Sequence, residues 1–160
     1  MTDLAALLDD LKIAYERFDH APVFTCDEAH AALPDNAAVQ TKNIFLRDKR
    51  GRRHILLVTN CEKSVDIKAF AEKADADRLS FGSPERLMKY LGVTPGSVTV
   101  LGLMNDVDRG VELFVDKDVW ETPAWRCHPL TNSATLVISR PDLERFFAHT
   151  GHRPMIVTLA

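Results

Sequence analysis

His54-Ile55-Leu56-Leu57-Val58-Thr59 is apolar at every position from Ile55 to Val58, so a strand here has both faces covered and lies centrally in a sheet. The segment from Ala38 to Leu46 reads as its partner, joined across Asp48 to Arg53 with Gly51 as the turn residue, which makes a hairpin. A core that covers both faces of a hairpin is layered. Upstream, Asp3 can cap a helix whose Leu4, Leu7, Leu8 and Leu11 form one stripe, followed by a short strand around Tyr15 to Phe18. Thr25-Cys26-Asp27-Glu28 fits a capping box opening a second helix, closed by Pro34 and Asp35. Downstream, Asp66 to Lys73 reads as a helix, and Ser83-Pro84 with Leu87, Met88, Leu91 and a terminal Gly92 as another. Pro95-Gly96 is a turn; Ser97 to Leu103, Val111 to Val115 and Ala134 to Ile138 are strand candidates. Ser139-Arg140-Pro141-Asp142 opens a helix to about His149, and Met155 to Leu159 closes the chain as a strand. The expectation is one α+β domain over residues 1–160, with a mixed, strongly twisted sheet flanked by helices.

Composition narrows the functions open to such a domain. At 160 residues and 46% hydrophobic the chain can bury one sizeable core. A net charge of −3 argues against coating nucleic acid or membrane by bulk electrostatics, so any anion site is local. Met1 to Leu11 is acidic and lacks a basic segment leading into an apolar one, and no apolar run approaches a membrane span. The expectation is a cytoplasmic protein without membrane contact. Cys26, Cys61 and Cys127 are odd in number and contain no Cys-x-x-Cys pair, which predicts reduced thiols and no disulfide. Six histidines show no His-x-x-x-His spacing, so no metal and no other cofactor is expected.

In Thr41-Lys42-Asn43-Ile44-Phe45-Leu46, period-2 alternation puts Lys42 on the face of Ile44 and Leu46. A lysine aligned with an apolar face is paired, reaches water along its own stem, or awaits an anionic ligand. Arg47, Lys49, Arg50, Arg52 and Arg53 crowd the hairpin turn against one acid, Asp48; this is a phosphate-contacting patch or a solvated turn. Trp120 and Trp125 read as aromatics packing a loop onto the core. Cys127-His128 cannot be a thiol dyad in extended chain, because neighbours point to opposite sides. Neither a Gly-x-Ser-x-Gly elbow nor a phosphate-binding glycine loop is present.

Thr41 to Leu46 with its hairpin, Gly92-Val93-Thr94-Pro95-Gly96-Ser97-Val98-Thr99, and Cys127-His128-Pro129-Leu130-Thr131-Asn132 together resemble the YbaK/prolyl-tRNA-synthetase-associated editing family. Within it the chain is most similar to freestanding domains that deacylate Ala-tRNA(Pro). One departure is visible: the family's Gly-x-x-x-Pro loop, begun at Gly96, meets Val100 where proline is usual. The resemblance implies a metal-free α+β hydrolase of mischarged tRNA, with Lys42 as the functional hallmark. It implies catalytic roles for Lys42 and His128, and substrate contacts from Asn43, Gly96 and the apolar Ile44 and Leu46. Arg47, Lys49, Arg50, Arg53 and Arg78 are the expected tRNA contacts. The implied partner is the acceptor end of tRNA(Pro) carrying alanine, and prolyl-tRNA synthetase is the second partner to consider. Two alternatives stay open: hydrolysis of Cys-tRNA(Pro), and a non-catalytic nucleic-acid-binding module using the basic hairpin.

Overall fold

The computed structural model describes residues 3–34 and 38–159. Its helices are α1 (Leu4–Asp10), α2 (Cys26–Ala32), α3 (Ile67–Lys73), α4 (Pro84–Leu91), α5 (Lys117–Trp120) and α6 (Arg140–Thr150). Its strands are β1 (Glu16–Asp19), β2 (Val39–Arg47), β3 (His54–Asn60), β4 (Ser80–Phe81), β5 (Val111–Asp116), β6 (Ala124–Cys127), β7 (Ala134–Ser139) and β8 (Met155–Val157). They form one mixed eight-stranded sheet in the order β1-β7-β6-β2-β3-β5-β8, with β4 also on β2. The hairpin is antiparallel, Ile44 opposite Leu57, while β3–β5, β5–β8 and β2–β6 are parallel. This is the expected α+β class. Among the described residues, no helix is long and apolar enough to cross a membrane.

Ile55 to Val58 are fully buried between β2 and β5, as their unbroken apolarity requires. Leu56 and Val58 face the larger core, built with α1, α4 and α6; Ile55 and Leu57 face the smaller one, under Phe70 of α3. The predicted caps form: Asp3, Thr25, Ser83 and Ser139 each accept a hydrogen bond from a first-turn amide, and Asp66, read as the first residue of its helix, is the cap of α3. Gly92 and Gly151 end α4 and α6 in the left-handed conformation.

Four expectations are corrected or left open. The run Ser97 to Leu103 is not a strand; it ends one 3-10 turn, Pro95–Ser97, passes through extended Val98 and Thr99, and enters a second, Val100–Asn105. A short apolar run reads alike as buried strand or helix, and here Thr99 caps the second turn through the Leu101 amide. β4, β6 and α5 are too short to leave a periodic signal, and Trp125 lies in β6 rather than in a loop. The second helix stops at Ala32, before Pro34, whereas Asp35 lies outside the described residues. Finally, Cys26 and Cys61 are joined in a disulfide with a Cα separation of 5.8 Å, against the expectation of reduced thiols. They are 35 residues apart, and only the docking of α2 beside the end of β3 brings them together. Cys127 is the buried free thiol, and burial pushes its pKa up to about 12, so it is no nucleophile at neutral pH.

Candidate active site

Two strands share one edge of β2. β3 fills the opposite edge over Thr41–Arg47, so β6, beside Val39 and Gln40, and β4, beside Leu46 and Arg47, take the other. Between them lies a window without a strand, and residues of β2 within it line a cavity of about 220 Å³ together with Cys61, just past the end of β3. Lys42 and Asn43 line it from the window, Cys26 and Phe24 from the start of α2, Gly96 from its turn, and His128 from beyond the end of β6. Alternation sends Lys42 and Asn43 to opposite faces of β2. Both nevertheless line the cavity.

The half-buried Lys42 donates from Nζ to the main-chain carbonyl of Lys63. The neighbouring carboxylates of Asp116 and Asp118 are taken by Lys63 Nζ at 2.8 and 2.9 Å, which raises the Lys63 pKa. Among the described residues, Lys42 therefore has no carboxylate ion pair, and its charge is left for a ligand. Asn43 presents the opposite polarity: its Oδ1 is buried and has no hydrogen-bond partner among the described residues. A buried acceptor left unpaired costs free energy, and a donor arriving from the cavity would recover it.

His128 is half-buried, with Nδ1 3.3 Å from the Ala134 carbonyl oxygen. A carbonyl only accepts, so that contact puts the proton on Nδ1 and the lone pair on Nε2. Burial lowers its pKa; the Ala134 bond opposes this and the charge of His20 adds to it, leaving a net fall. The imidazole is neutral at physiological pH. Gly96 is exposed in its turn, and a Cβ there would stand 3.4 Å from Asn132 Nδ2 and 3.5 Å from the Phe24 ring. A methyl there would make ordinary contact with both, so this glycine is not required by packing. Thr94 makes no side-chain cap to this turn.

Ile44 and Leu46 do not line the cavity. Leu46 is fully buried in the smaller core and Ile44 packs against it, under α3, so these side chains are core rather than pocket wall. Arg53 is likewise engaged within the protein: its guanidinium grips Glu112 with two bonds of 2.8 Å and donates to the carbonyls of Ala74 and Asp75. It closes the end of α3. Lys49 and Arg50 are exposed and Arg47 half-buried on the hairpin, and the Lys49 amide bonds the Asp77 carbonyl, which draws exposed Arg78 alongside. Arg86 joins this group through the Gly51 carbonyl at 3.3 Å. The basic cluster stands at the far end of β2 from Lys42, about 17 Å away for five residues of strand.

Phe24, Cys26 and Gln40 of the lining carried no functional signal in the sequence. The capping box located the start of α2 correctly, but nothing local says that this start forms a cavity wall.

The profile of the Aminoacyl-tRNA editing domain family matches residues 20–146. The chain is 40% identical over 147 residues to the prolyl-tRNA editing protein ProX of Acetoanaerobium sticklandii, covering 92% of this chain and 90% of that protein. It is 32% identical over 158 residues to prolyl-tRNA synthetase associated domain-containing protein 1 of Danio rerio, covering 98% of this chain and 85% of the relative. In fold it is similar to a crystal structure described as a candidate trans-editing enzyme for prolyl-tRNA synthetase, with a TM-score of 0.70, 15% identity, and coverage of 99% of this chain and 98% of that one. Matching the family's profile from His20 to Phe146, a stretch that includes β2 to β7 and the residues lining the cavity, the chain belongs to the aminoacyl-tRNA editing domain family.

Proposed function

We propose that this protein is a trans-editing deacylase that hydrolyses the ester of Ala-tRNA(Pro) and spares Pro-tRNA(Pro). The observation that carries the reading is a small cavity holding an ammonium without a carboxylate partner beside a buried, unpartnered carboxamide oxygen. An aminoacyl ester has the complementary groups. Its carbonyl oxygen gains negative charge during attack by water, which Lys42 stabilises with main-chain N–H groups at Gly96. Its free α-ammonium supplies the donor that Asn43 Oδ1 lacks. Neutral His128 accepts a hydrogen bond at Nε2 from the attacking water or from the ribose hydroxyl beside the ester. Water oxygen bonds to the carbonyl carbon, the bond from that carbon to the ribose oxygen breaks, and a proton passes to the ribose oxygen. Free amino acid and uncharged tRNA result.

At about 220 Å³ the cavity is below the roughly 300 Å³ at which drug-sized pockets begin, which suits a small aminoacyl group and not a nucleoside. A synthetase pocket built for proline admits smaller residues, and a second, smaller pocket removes them. A methylene-sized difference is worth only about 1–3 kcal/mol, so contacts to the tRNA add selectivity. Arg47, Lys49, Arg50 and Arg78 supply these in our reading, and the prolyl-tRNA relatives favour tRNA(Pro) as the carrier and prolyl-tRNA synthetase as the source of the error. The test compares deacylation of Ala-tRNA(Pro), Cys-tRNA(Pro) and Pro-tRNA(Pro) by wild type and Lys42→Ala. Selective loss of the alanyl ester, abolished in the variant, is the expected result. Preferential loss of the cysteinyl ester would reassign the specificity, and no cleavage above buffer would leave a binding module.

A further inference from the structure

The cavity takes an aminoacyl group and leaves the nucleoside that carries it outside, at the mouth. Phe24 stands there with 73% of its surface exposed. Exposure of an aromatic is not itself a sign of function, since Phe81 is 70% exposed far along β2, beside Leu46. Phe24 differs in where it stands and in how firmly its backbone is held.

Phe24 is the residue before the cap of α2, the position from which an apolar side chain usually folds back onto the fourth helical residue. That residue is Ala29, whose single methyl gives the ring little to cover. The chain is nevertheless fixed on both sides. The Phe24 amide donates to Glu28 Oε1 at 3.3 Å, the Val23 amide donates to the Asn132 carbonyl at 3.2 Å, and Asn132 Nδ2 donates to the Val23 carbonyl at 3.3 Å. One step beyond the cap, Cys26 is tied covalently to Cys61. The ring edge meets the open side of Gly96. A backbone held on both sides thus presents an unburied aromatic ring in the lining of the cavity that holds Lys42 and Asn43.

We propose that Phe24 is the stacking platform for the 3′-terminal adenine of the tRNA, setting the ribose ester over the cavity. This rests on the function proposed above. Stacking suits the position because every base offers a π-face and the ring needs no hydrogen-bonding partner from the protein. It is a substrate-positioning contact: it contributes to binding the nucleoside and leaves the bond-breaking groups untouched.

The test is a binding cycle using the full-length protein and uncharged tRNA(Pro), either complete or lacking its terminal adenosine. In wild type, removing the adenosine should weaken binding about tenfold, and in Phe24→Leu by less than twofold. Phe24→Trp should restore the wild-type difference, which a merely structural role for the side chain would not produce. On Ala-tRNA(Pro), Phe24→Leu should raise KM about tenfold with kcat within twofold. An equal adenosine effect in wild type and Phe24→Leu overturns the inference, as does absence of tRNA binding by wild type. If tRNA binds with the expected cycle but no ester is hydrolysed, the deacylase reading fails while the stacking platform stands.

Discussion

The Lys42 ammonium donates to the main-chain carbonyl of Lys63, while the ammonium of Lys63 itself occupies the carboxylates of Asp116 and Asp118. If Lys42 serves an oxyanion or the substrate's charge, Lys42→Met should lower kcat/KM for Ala-tRNA(Pro) at least 100-fold, about 2.7 kcal/mol of lost transition-state stabilisation. Stability should change by less than about 1 kcal/mol, because a single half-buried hydrogen bond is lost. Equal losses of activity and of folded protein would make Lys42 structural.

His128 carries a pKa below the ordinary imidazole value of 6.5, with burial as the leading cause. A lowered pKa means that the neutral form persists as pH falls through that value. The deacylation rate, corrected for buffer hydrolysis, should therefore hold from neutrality down to pH 6.5 and decline only below it. His128→Gln should remove this acid limb together with most of the rate. A limb centred above the ordinary value, or one unchanged in the variant, would assign the titration to another group.

The Cys26–Cys61 bridge closes a 35-residue separation between α2 and the end of β3. Loop-closure entropy for such a span is about 4 kcal/mol at 25 °C, an upper figure for the stabilisation. Denaturant unfolding of Cys26→Ser, or of wild type in dithiothreitol, should show a loss approaching that amount. In a reducing cytosol the bridge would be open, so activity should also be compared with and without reductant. Identical unfolding midpoints in both conditions would mean that the bridge does not form in solution.

Lys49 and Arg50 project from the hairpin, whereas Arg53 is bound to Glu112 and to the end of α3. Replacing Lys49 and Arg50 with alanine should weaken tRNA binding and reduce the slope of log K against log salt by roughly 1.4 to 1.8. Arg53→Ala should instead cost on the order of 2 kcal/mol of stability, because a partly buried carboxylate and two carbonyls lose their donor. A salt slope insensitive to the Lys49 and Arg50 changes would remove the hairpin from the interface.

The parts of the fold legible in the sequence were those with strong local chemistry. The unbroken apolarity of Ile55 to Val58 located the central strand, and caps at Thr25, Ser83 and Ser139 located helix starts. Where partners decide, the sequence was silent or misleading. Val100 to Leu103 has the composition of a buried strand and is a 3-10 turn, and Cys26 meets Cys61 only because α2 docks there. The candidate site divides in the same way. Lys42, Asn43, Gly96 and His128 do meet in one cavity, yet only family resemblance linked them beforehand. Ile44 and Leu46 share a strand face with Lys42, but that face runs under α3 before it reaches the cavity.

The window in the edge of β2 has a length fixed by where β6 stops and β4 begins. Adding one residue pair to either strand would shorten the aperture by about 3.4 Å, and removing one would lengthen it equally. The length of the unpaired stretch is then a digital variable, set by strand termini. Strand termini can therefore shift in whole-residue steps along β2 without any change to Lys42, Asn43 or His128.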